Sequence, residues 1–273
     1  MTRKSLLVFL ALLTTGCASQ QLAGADLNRV SRPAFISRIE DDAGPHSLVF
    51  REDSSYKEKL KKLDPKEADR RLQAKLAGSM TRFAISERLR LSTFRRLPEE
   101  RPWVDTVAPA RVASALESFL VQEVPANAPD YDLLLPLGAD TVVEFVIHDY
   151  GMRSKDGRAG AYLEGYARMF RIQGHSEFWR HPFRLDRVAE GAEHLDPFKL
   201  GKDPSLFRLQ LTEMLDVLAE QFATELNPKD RQVAPPPGST GPDSTNKTGR
   251  EARPPATPAE PPLPPGELPD PDN

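Results

Sequence analysis

The chain has 273 residues, with 37 Lys or Arg, 40 Asp or Glu, and a formal net charge of -3 at pH 7. This mild acidic excess argues against a nucleic-acid partner, because such proteins usually carry a concentrated basic face. Cys17 is the only cysteine. An intramolecular disulfide is therefore impossible, and packing alone must stabilise the fold.

The amino terminus has the features of a secretory signal peptide. Arg3 and Lys4 precede an uninterrupted apolar run from Leu6 to Leu13, and small residues follow up to Gly16. Eight apolar residues are far fewer than the roughly 20 that cross a bilayer as a helix. Residues 1–16 are therefore predicted to be a signal peptide that is removed during export.

The Gly16-Cys17 pair at the end of this run resembles the lipobox of bacterial lipoproteins. In that family the cysteine sulfur receives diacylglycerol, and the new amino terminus is acylated, typically with palmitate. The resemblance implies that Cys17 is the lipid-attachment residue and that acyl chains hold the protein to a membrane. The family usually has leucine three residues before the cysteine, where this chain has Thr14. The alternative is a secreted protein with a chance cysteine.

The same resemblance indicates where the protein is anchored. No aspartate follows the cysteine directly, since the next residue is Ala18. In the lipoprotein family this favours the outer membrane over the inner membrane. The expected location is the bacterial cell envelope, on a periplasmic route that ends at the outer membrane.

Composition divides the rest of the chain into three parts. Residues 17–33 are mostly small and polar and are predicted to form a lipidated flexible tether. Residues 34–227 carry nearly all of the periodic apolar signal and are predicted to form a single globular domain. Residues 228–273 are predicted to be a disordered Pro-rich tail, because residues 233–273 contain 13 prolines and no aromatic side chain. The tail acts as a spacer, a groove ligand or a solubilising segment.

The first part of the domain is predicted to be mainly helical. The apolar run Ser47 to Arg51 indicates a short strand. After it, cap residues, prolines and apolar spacing predict three helices: one that begins at Asp64-Pro65, one that ends near Leu97, and one from Ala108 to Val121.

The second part is predicted to contain strands and a closing helix. In "TVVEFVIHDYG", Val143, Phe145 and Ile147 alternate with polar residues, which indicates a strand. Residues 161–170 and 177–183 alternate in the same way around Gln173-Gly174 and predict a hairpin. Apolar side chains at helical spacing up to about Leu226 predict the final helix.

This order predicts an α+β fold: an antiparallel-rich sheet with a long hairpin, helices packed on one face, and a disordered Pro-rich tail. The segment "GADTVVEFVI" (138–147), the hairpin strand with Trp179 and the closing helix are similar to small α/β domains of envelope assembly and transport-auxiliary lipoproteins. That similarity implies an accessory role without catalysis.

The sequence contains no motif for a known chemistry. G-x-S-x-G, G-x-x-x-x-G-K-[ST], G-x-G-x-x-G and H-E-x-x-H are all absent, and none of the five histidines forms a close ligand pair. No cofactor and no metal are expected. The rival hypothesis is an envelope hydrolase that uses carboxylates near Glu144 and Glu164, with Asp140 and Asp149 close by.

Two surfaces are candidates for binding. Tyr162, Tyr166 and Phe170 share one face of the predicted hairpin, where they form either a second core or an exposed partner surface. Residues 51–101 hold 15 basic and 9 acidic residues, and include the cluster Arg88, Arg90, Arg95 and Arg96. That basic excess forms either a solvated helix face or a surface for anionic lipid.

The sequence thus predicts a lipid-anchored envelope lipoprotein that acts as a non-catalytic binding or assembly subunit. Its expected partner is an envelope protein, which the sequence does not identify. The alternatives are the carboxylate hydrolase and a passive tether between membrane and cell wall.

Overall fold

The computed structural model describes residues 22–116, 127–192 and 194–228. Its longer elements are helices α1 (Pro65–Ala77), α2 (Arg82–Arg96), α3 (Pro109–Ala115) and α4 (Ser205–Glu225), and strands β1 (Pro33–Ile39), β2 (His46–Ser47), β3 (Thr141–Lys155), β4 (Arg158–Arg171) and β5 (Glu177–Asp186). Short helices span Gly24–Leu27, Val49–Glu52, Lys57–Leu60 and Pro197–Leu200, and 3-10 turns span Ser54–Tyr56, Tyr131–Leu137 and Gln173–His175.

The strands form one mixed sheet, which makes the fold α+β. Its order is β1-β3-β4-β5, and β2 also pairs with β3. Strands β1 and β2 both run parallel to β3 and pair with residues 141–147 and 151–152 of it. The β3–β4 and β4–β5 pairs are antiparallel. The predicted hairpin is therefore confirmed, whereas the parallel pairs were not predicted.

The main core lies between one face of the sheet and the helices α1, α2 and α4. Val143, Phe145 and Ile147 of β3 point into it, as their alternation predicts. The apolar stripe of α4 is buried there as well, at Leu211, Met214, Leu215, Leu218 and Phe222.

The prediction that helices pack on one face only is wrong. A second, smaller core on the opposite face joins Ala34, Ile36 and Val142 of the sheet to Val112 of α3 and Leu134 of the 3-10 turn. The chain after α2 reaches this face at the start of β1, where the amide of Val107 donates to the carbonyl of Pro33 at 3.0 Å. All seven residues of β1 are consequently buried.

Part of the predicted tether belongs to the packed domain. Leu22, Leu27 and Val30 are buried in the main core, and Gly24–Leu27 is helical. The packed domain therefore begins at Leu22 or earlier, not at Ala34. Three apolar side chains spaced among polar residues were too few to give a periodic signal.

Several predictions fall on residues outside the described ranges. They are the signal peptide, Cys17, and the Pro-rich tail from residue 229 onward. Within the described ranges, no helix combines the length and apolar character needed to cross a membrane.

One predicted strand is instead mostly helix. Residues 47–51 contribute only Ser47 to β2, and the short helix Val49–Glu52 follows. The cause is Asp69 of α1, whose carboxylate accepts from the amides of Phe50 and Arg51 and from the hydroxyl of Ser47. Local apolar content could not reveal this long-range cap.

Candidate functional site

Glu144 lies at the centre of a buried polar cluster on the face of the sheet opposite the main core. Its side chain is 0% exposed. One carboxylate oxygen accepts from the Nε of Arg38 at 3.0 Å and from the hydroxyl of Tyr131 at 2.6 Å. The other accepts from the Nε of Arg168 at 2.5 Å. Both oxygens accept from internal donors and the side chain is fully buried, so this carboxylate is engaged within the domain.

The neighbours of Glu144 respond to its charge. Burial raises the pKa of the Tyr131 hydroxyl, and the negative charge of Glu144 raises it further. Burial would lower the pKa of Arg168, but the carboxylate of Glu144 outweighs this effect and raises it. The raised pKa of each group keeps the tyrosine neutral and Arg168 charged beside Glu144.

Glu164, the other carboxylate of the hydrolase hypothesis, is in a different environment. It accepts from Arg153 at 2.9 Å and lies 3.3 Å from the Nε of Arg184, with 31% of its side chain exposed. Glu144 pairs across the strands with Arg168, four residues from Glu164 on β4. At about 3.3 Å per residue the two carboxylates are about 13 Å apart along the strand. The structure does not bring them together.

The hairpin aromatics do not form an exposed partner surface. Tyr162, Tyr166 and Phe170 are 0%, 9% and 3% exposed. The guanidinium groups of Arg153 and Arg180 lie over the rings of Tyr162 and Tyr166 at 4.2 Å and 4.1 Å. Arginines on the neighbouring strands lie over the aromatic stripe, and of the two alternatives left open by the sequence, the buried one describes these three side chains.

The sequence reasoning missed a pair formed by His46 and Asp149. The Nδ1 of His46 lies 2.8 Å from a carboxylate oxygen of Asp149, whose other oxygen accepts from the Tyr162 hydroxyl at 2.9 Å. His46 lines a cleft of about 560 Å³ together with Arg70 and the loop at 41–45. Among the described residues no serine, threonine or cysteine hydrogen-bonds to His46, so the pair lacks the nucleophile of a catalytic triad.

The described residues also contain no group of three or more His, Cys, Asp or Glu that could hold a metal ion. His148 instead pairs with Glu40 at 2.7 Å, and His181 pairs with Glu225 at 3.0 Å. Each carboxylate orients one imidazole ring on the surface of the domain.

A groove with an apolar floor and a basic rim lies at the opposite end of the domain from the start of β1. Two adjoining clefts, of about 220 Å³ and 640 Å³, share Phe50, Leu60 and Leu63 as lining residues. Phe198 closes the smaller cleft and is 36% exposed. We call this feature the basic groove, because Lys57, Lys61, Lys62 and Lys75 line it.

The rim lysines carry charge that the rest of the domain does not neutralise. Lys57, Lys61, Lys62 and Lys75 are exposed, and none of them forms an ion pair with another described residue. The arginines that the sequence groups together behave differently: Arg88 and Arg96 pair with Asp216 of α4, and Arg90 pairs with Glu87. Three of the four clustered arginines are therefore paired, and Arg95 alone among them shares the unpaired state of the rim lysines within the described residues.

Buried contacts fix the groove to the β3–β4 turn. The hydroxyl of Tyr56 donates to the carbonyl of Gly157 at 2.9 Å, and its ring packs edge-on against Phe50. Asp53 accepts from the amide of Gly157 and from the hydroxyl of Ser154, both at 2.7 Å. Burial alone would raise the pKa of Asp53, but these hydrogen bonds and those from Ser55 outweigh it and lower the pKa to about 2.

Lys61 has an unusual backbone conformation. Its φ is 56° and its ψ is -106°, and the amide of Leu63 donates to the carbonyl of Leu60 at 3.0 Å. These values describe a type II′ turn with Lys61 at its first central position, which glycine normally occupies. A lysine at this position stores backbone strain at the rim of the groove.

Comparisons with known proteins give few matches. No family model matches the chain, and no curated protein sequence matches it significantly. Among solved structures, the PelC dodecamer from Paraburkholderia phytofirmans has 8% identity and a TM-score of 0.29, and the match covers 77% of this chain and 92% of that one. Lipoprotein GNA1162 from Neisseria meningitidis has 12% identity and a TM-score of 0.30, and the match covers 67% and 99%.

A third solved structure, CT253 from Chlamydia trachomatis, has 13% identity and a TM-score of 0.29, with 71% of this chain and 98% of that chain covered. The solved structures thus include a bacterial lipoprotein. Likeness at these TM-scores does not assign a function to the chain.

Proposed function

We propose that the protein is a lipid-anchored lipoprotein of the bacterial cell envelope that acts as a binding or assembly subunit and performs no chemistry of its own. The observation that carries the proposal is the apolar run that ends at Gly16-Cys17, the only cysteine of the chain. Acyl chains on Cys17 would anchor the protein, with the outer membrane as the expected site, and the domain that begins by Leu22 would contact an envelope partner.

The geometry of the carboxylates supports a binding role over the hydrolase alternative. A general acid or base needs a carboxylate that can exchange a proton with substrate. Both oxygens of Glu144 are held by Arg38, Tyr131 and Arg168, and Glu164 is paired with Arg153. A hydrolase would require both of these networks to open.

Membrane fractionation tests the anchor, with a Cys17→Ala variant compared with the unsubstituted chain. We expect the unsubstituted chain in the membrane fraction and the variant in the soluble fraction or retained as an unprocessed precursor. A Ser19→Ala variant is the matched control, because it changes a residue beside the lipobox without removing the acylated sulfur. Membrane retention of a processed Cys17→Ala chain would contradict the proposal.

Affinity purification after reversible crosslinking in intact cells tests the binding role. We expect the same envelope protein to co-purify with the wild type in replicate preparations and to be lost with the variant that leaves the membrane. If no protein co-purifies reproducibly, the assembly role is wrong even when the anchor is present.

A further inference from the structure

We infer that the basic groove docks the domain onto an anionic phospholipid surface. This inference deepens the proposed function, since it assumes a domain held near a membrane. The occupant follows from charge complementarity: a row of unpaired ammonium groups beside an apolar floor matches phosphate groups above acyl chains.

The segment that forms the basic groove carries an excess of basic charge. Residues 51–75 contain nine basic and six acidic residues, although the whole chain carries a net charge of -3. Two of those acids, Asp53 and Asp69, are buried caps, and Asp64 caps the start of α1. Glu67 pairs with Arg70 and Arg71, so the charge available to an anionic surface lies on the exposed lysines of this segment.

The floor of the groove supplies the apolar part of the contact. Phe198 lies among Phe50 and Tyr56, with ring centroids 5.6 Å and 6.1 Å away, yet more than a third of it stays exposed. Lys59 lies with its Nζ 6.0 Å from the same ring. An aromatic ring flanked by lysines is the arrangement that interfacial segments use at the level of lipid headgroups.

The strain at Lys61 is a second, independent observation. A glycine at this turn position would remove the strain, and the chain instead places an exposed lysine there. A residue other than glycine that is kept in a strained backbone conformation is typical of positions whose side chain is used in function.

The chain before the domain is short enough to bring it to the membrane. Five peptide units separate Cys17 from Leu22, the first described residue. Fully extended, they span at most about 18 Å. If Cys17 is acylated, Leu22 lies within about 18 Å of the lipid-attachment residue.

Vesicle flotation with the mature chain from Ala18, exported without an acyl group, tests this docking. We expect flotation with vesicles of phosphatidylcholine that contain about one-third phosphatidylglycerol, and no flotation with phosphatidylcholine alone. A double variant, Lys61→Gln with Lys62→Gln, should bind about 25-fold more weakly, because each lysine near a charged surface contributes about fivefold. At about 1 M salt, where the Debye length is about 3 Å, binding should be lost.

A second double variant, Arg29→Gln with Arg208→Gln, is the matched control. It removes the same net charge from two exposed positions outside the groove, and it should float like the unsubstituted chain. Circular dichroism and thermal melting confirm that each variant folds. Equal losses in the two double variants would overturn the inference, because net charge alone would then explain binding.

Two other outcomes would also overturn it. The first is equal flotation with neutral and anionic vesicles, which would mean that charge does not guide the contact. The second is release of the chain by millimolar inorganic phosphate, which would mean a free phosphate ligand in place of a lipid surface. The chain tested has no acyl group, so the flotation experiment and the Cys17 fractionation experiment are independent. A negative flotation result would not contradict acylation of Cys17, and absence of acylation would not contradict binding of the groove to vesicles.

Discussion

Replacing Glu144 with glutamine should destabilise the domain more than any other single exchange of a carboxylate on the sheet. The carboxylate is 0% exposed and neutralises Arg38 and Arg168 at 3.0 Å and 2.5 Å. An amide of the same shape can accept from one arginine, but its NH2 group then faces the other donor. The buried Arg38 and the partly buried Arg168 lose this shared counter-charge, and Arg168 keeps a more distant carboxylate, Glu177, at 3.6 Å.

The magnitude follows from what remains buried. Breaking a buried ion pair by removing one partner costs about 3–5 kcal/mol, because the remaining charge is uncompensated. We therefore expect Glu144→Gln to lower the free energy of unfolding by about 3 kcal/mol, near the lower limit because the amide keeps one hydrogen bond. Urea denaturation followed by circular dichroism measures this quantity.

Glu164→Gln is the matched control for this measurement. Glu164 also pairs with two arginines, but it is 31% exposed and water can solvate its partners. The expected loss is about 1 kcal/mol or less. A loss below about 1 kcal/mol for Glu144→Gln, or equal losses for both variants, would refute the view that the Glu144 cluster is a structural ion-pair network.

Three further predictions concern Gly165, Lys61 and Asp53. Gly165→Ala should lower the free energy of unfolding, measured by urea denaturation, by about 2–3 kcal/mol, because its Cβ would lie 2.1 Å from the Val146 carbonyl oxygen. Gly78→Ala is the control and should be neutral, because the nearest atom to its Cβ would be 3.6 Å away. Equal effects of the two exchanges would contradict this. Lys61→Gly should raise the melting temperature by relieving about 1 kcal/mol of strain, whereas Lys62→Gly should lower it. The pKa of Asp53 in the folded state, about 2, lies below its ordinary value of 3.8, so the stability that Asp53 contributes is complete above the unfolded pKa and is lost as pH falls from about 4 towards 2. An Asp53→Asn variant that lost the same stability over that pH range would contradict this.

Elements whose signals are local could be predicted from the sequence. Asp64-Pro65 begins α1 as expected, with the Asp64 carboxylate accepting from the amide of Glu67. The alternation in β3 correctly placed Val143, Phe145 and Ile147 on one face, because strand parity needs no knowledge of distant residues.

Features that depend on distant partners could not be predicted. The helix at Val49–Glu52 requires the cap from Asp69, and the second core requires a chain crossing at Val107. The sequence left open whether the aromatic stripe on β4 was core or surface, because the arginines that cover it come from β3 and β5. In each case the deciding contact joins residues far apart in the sequence.

The candidate site also combines features that the sequence predicts locally with features that depend on distant residues. Counting charges over 51–101 located the basic excess, but it drew attention to the arginines of α2, three of which, Arg88, Arg90 and Arg96, pair with acids of α2 and α4. Only three-dimensional pairing shows that the lysines at 57–75 remain unneutralised. The pair of His46 and Asp149, 103 residues apart, had no local signal at all.

Mass spectrometry of the mature amino terminus, on protein extracted from membranes of the native host, tests the lipid anchor most directly. The expected amino-terminal peptide begins at Cys17 and carries the added mass of diacylglycerol on sulfur, together with an amide-linked acyl chain. An unmodified peptide that begins at Cys17, or a mature chain that begins at any other residue, would contradict the proposed lipoprotein.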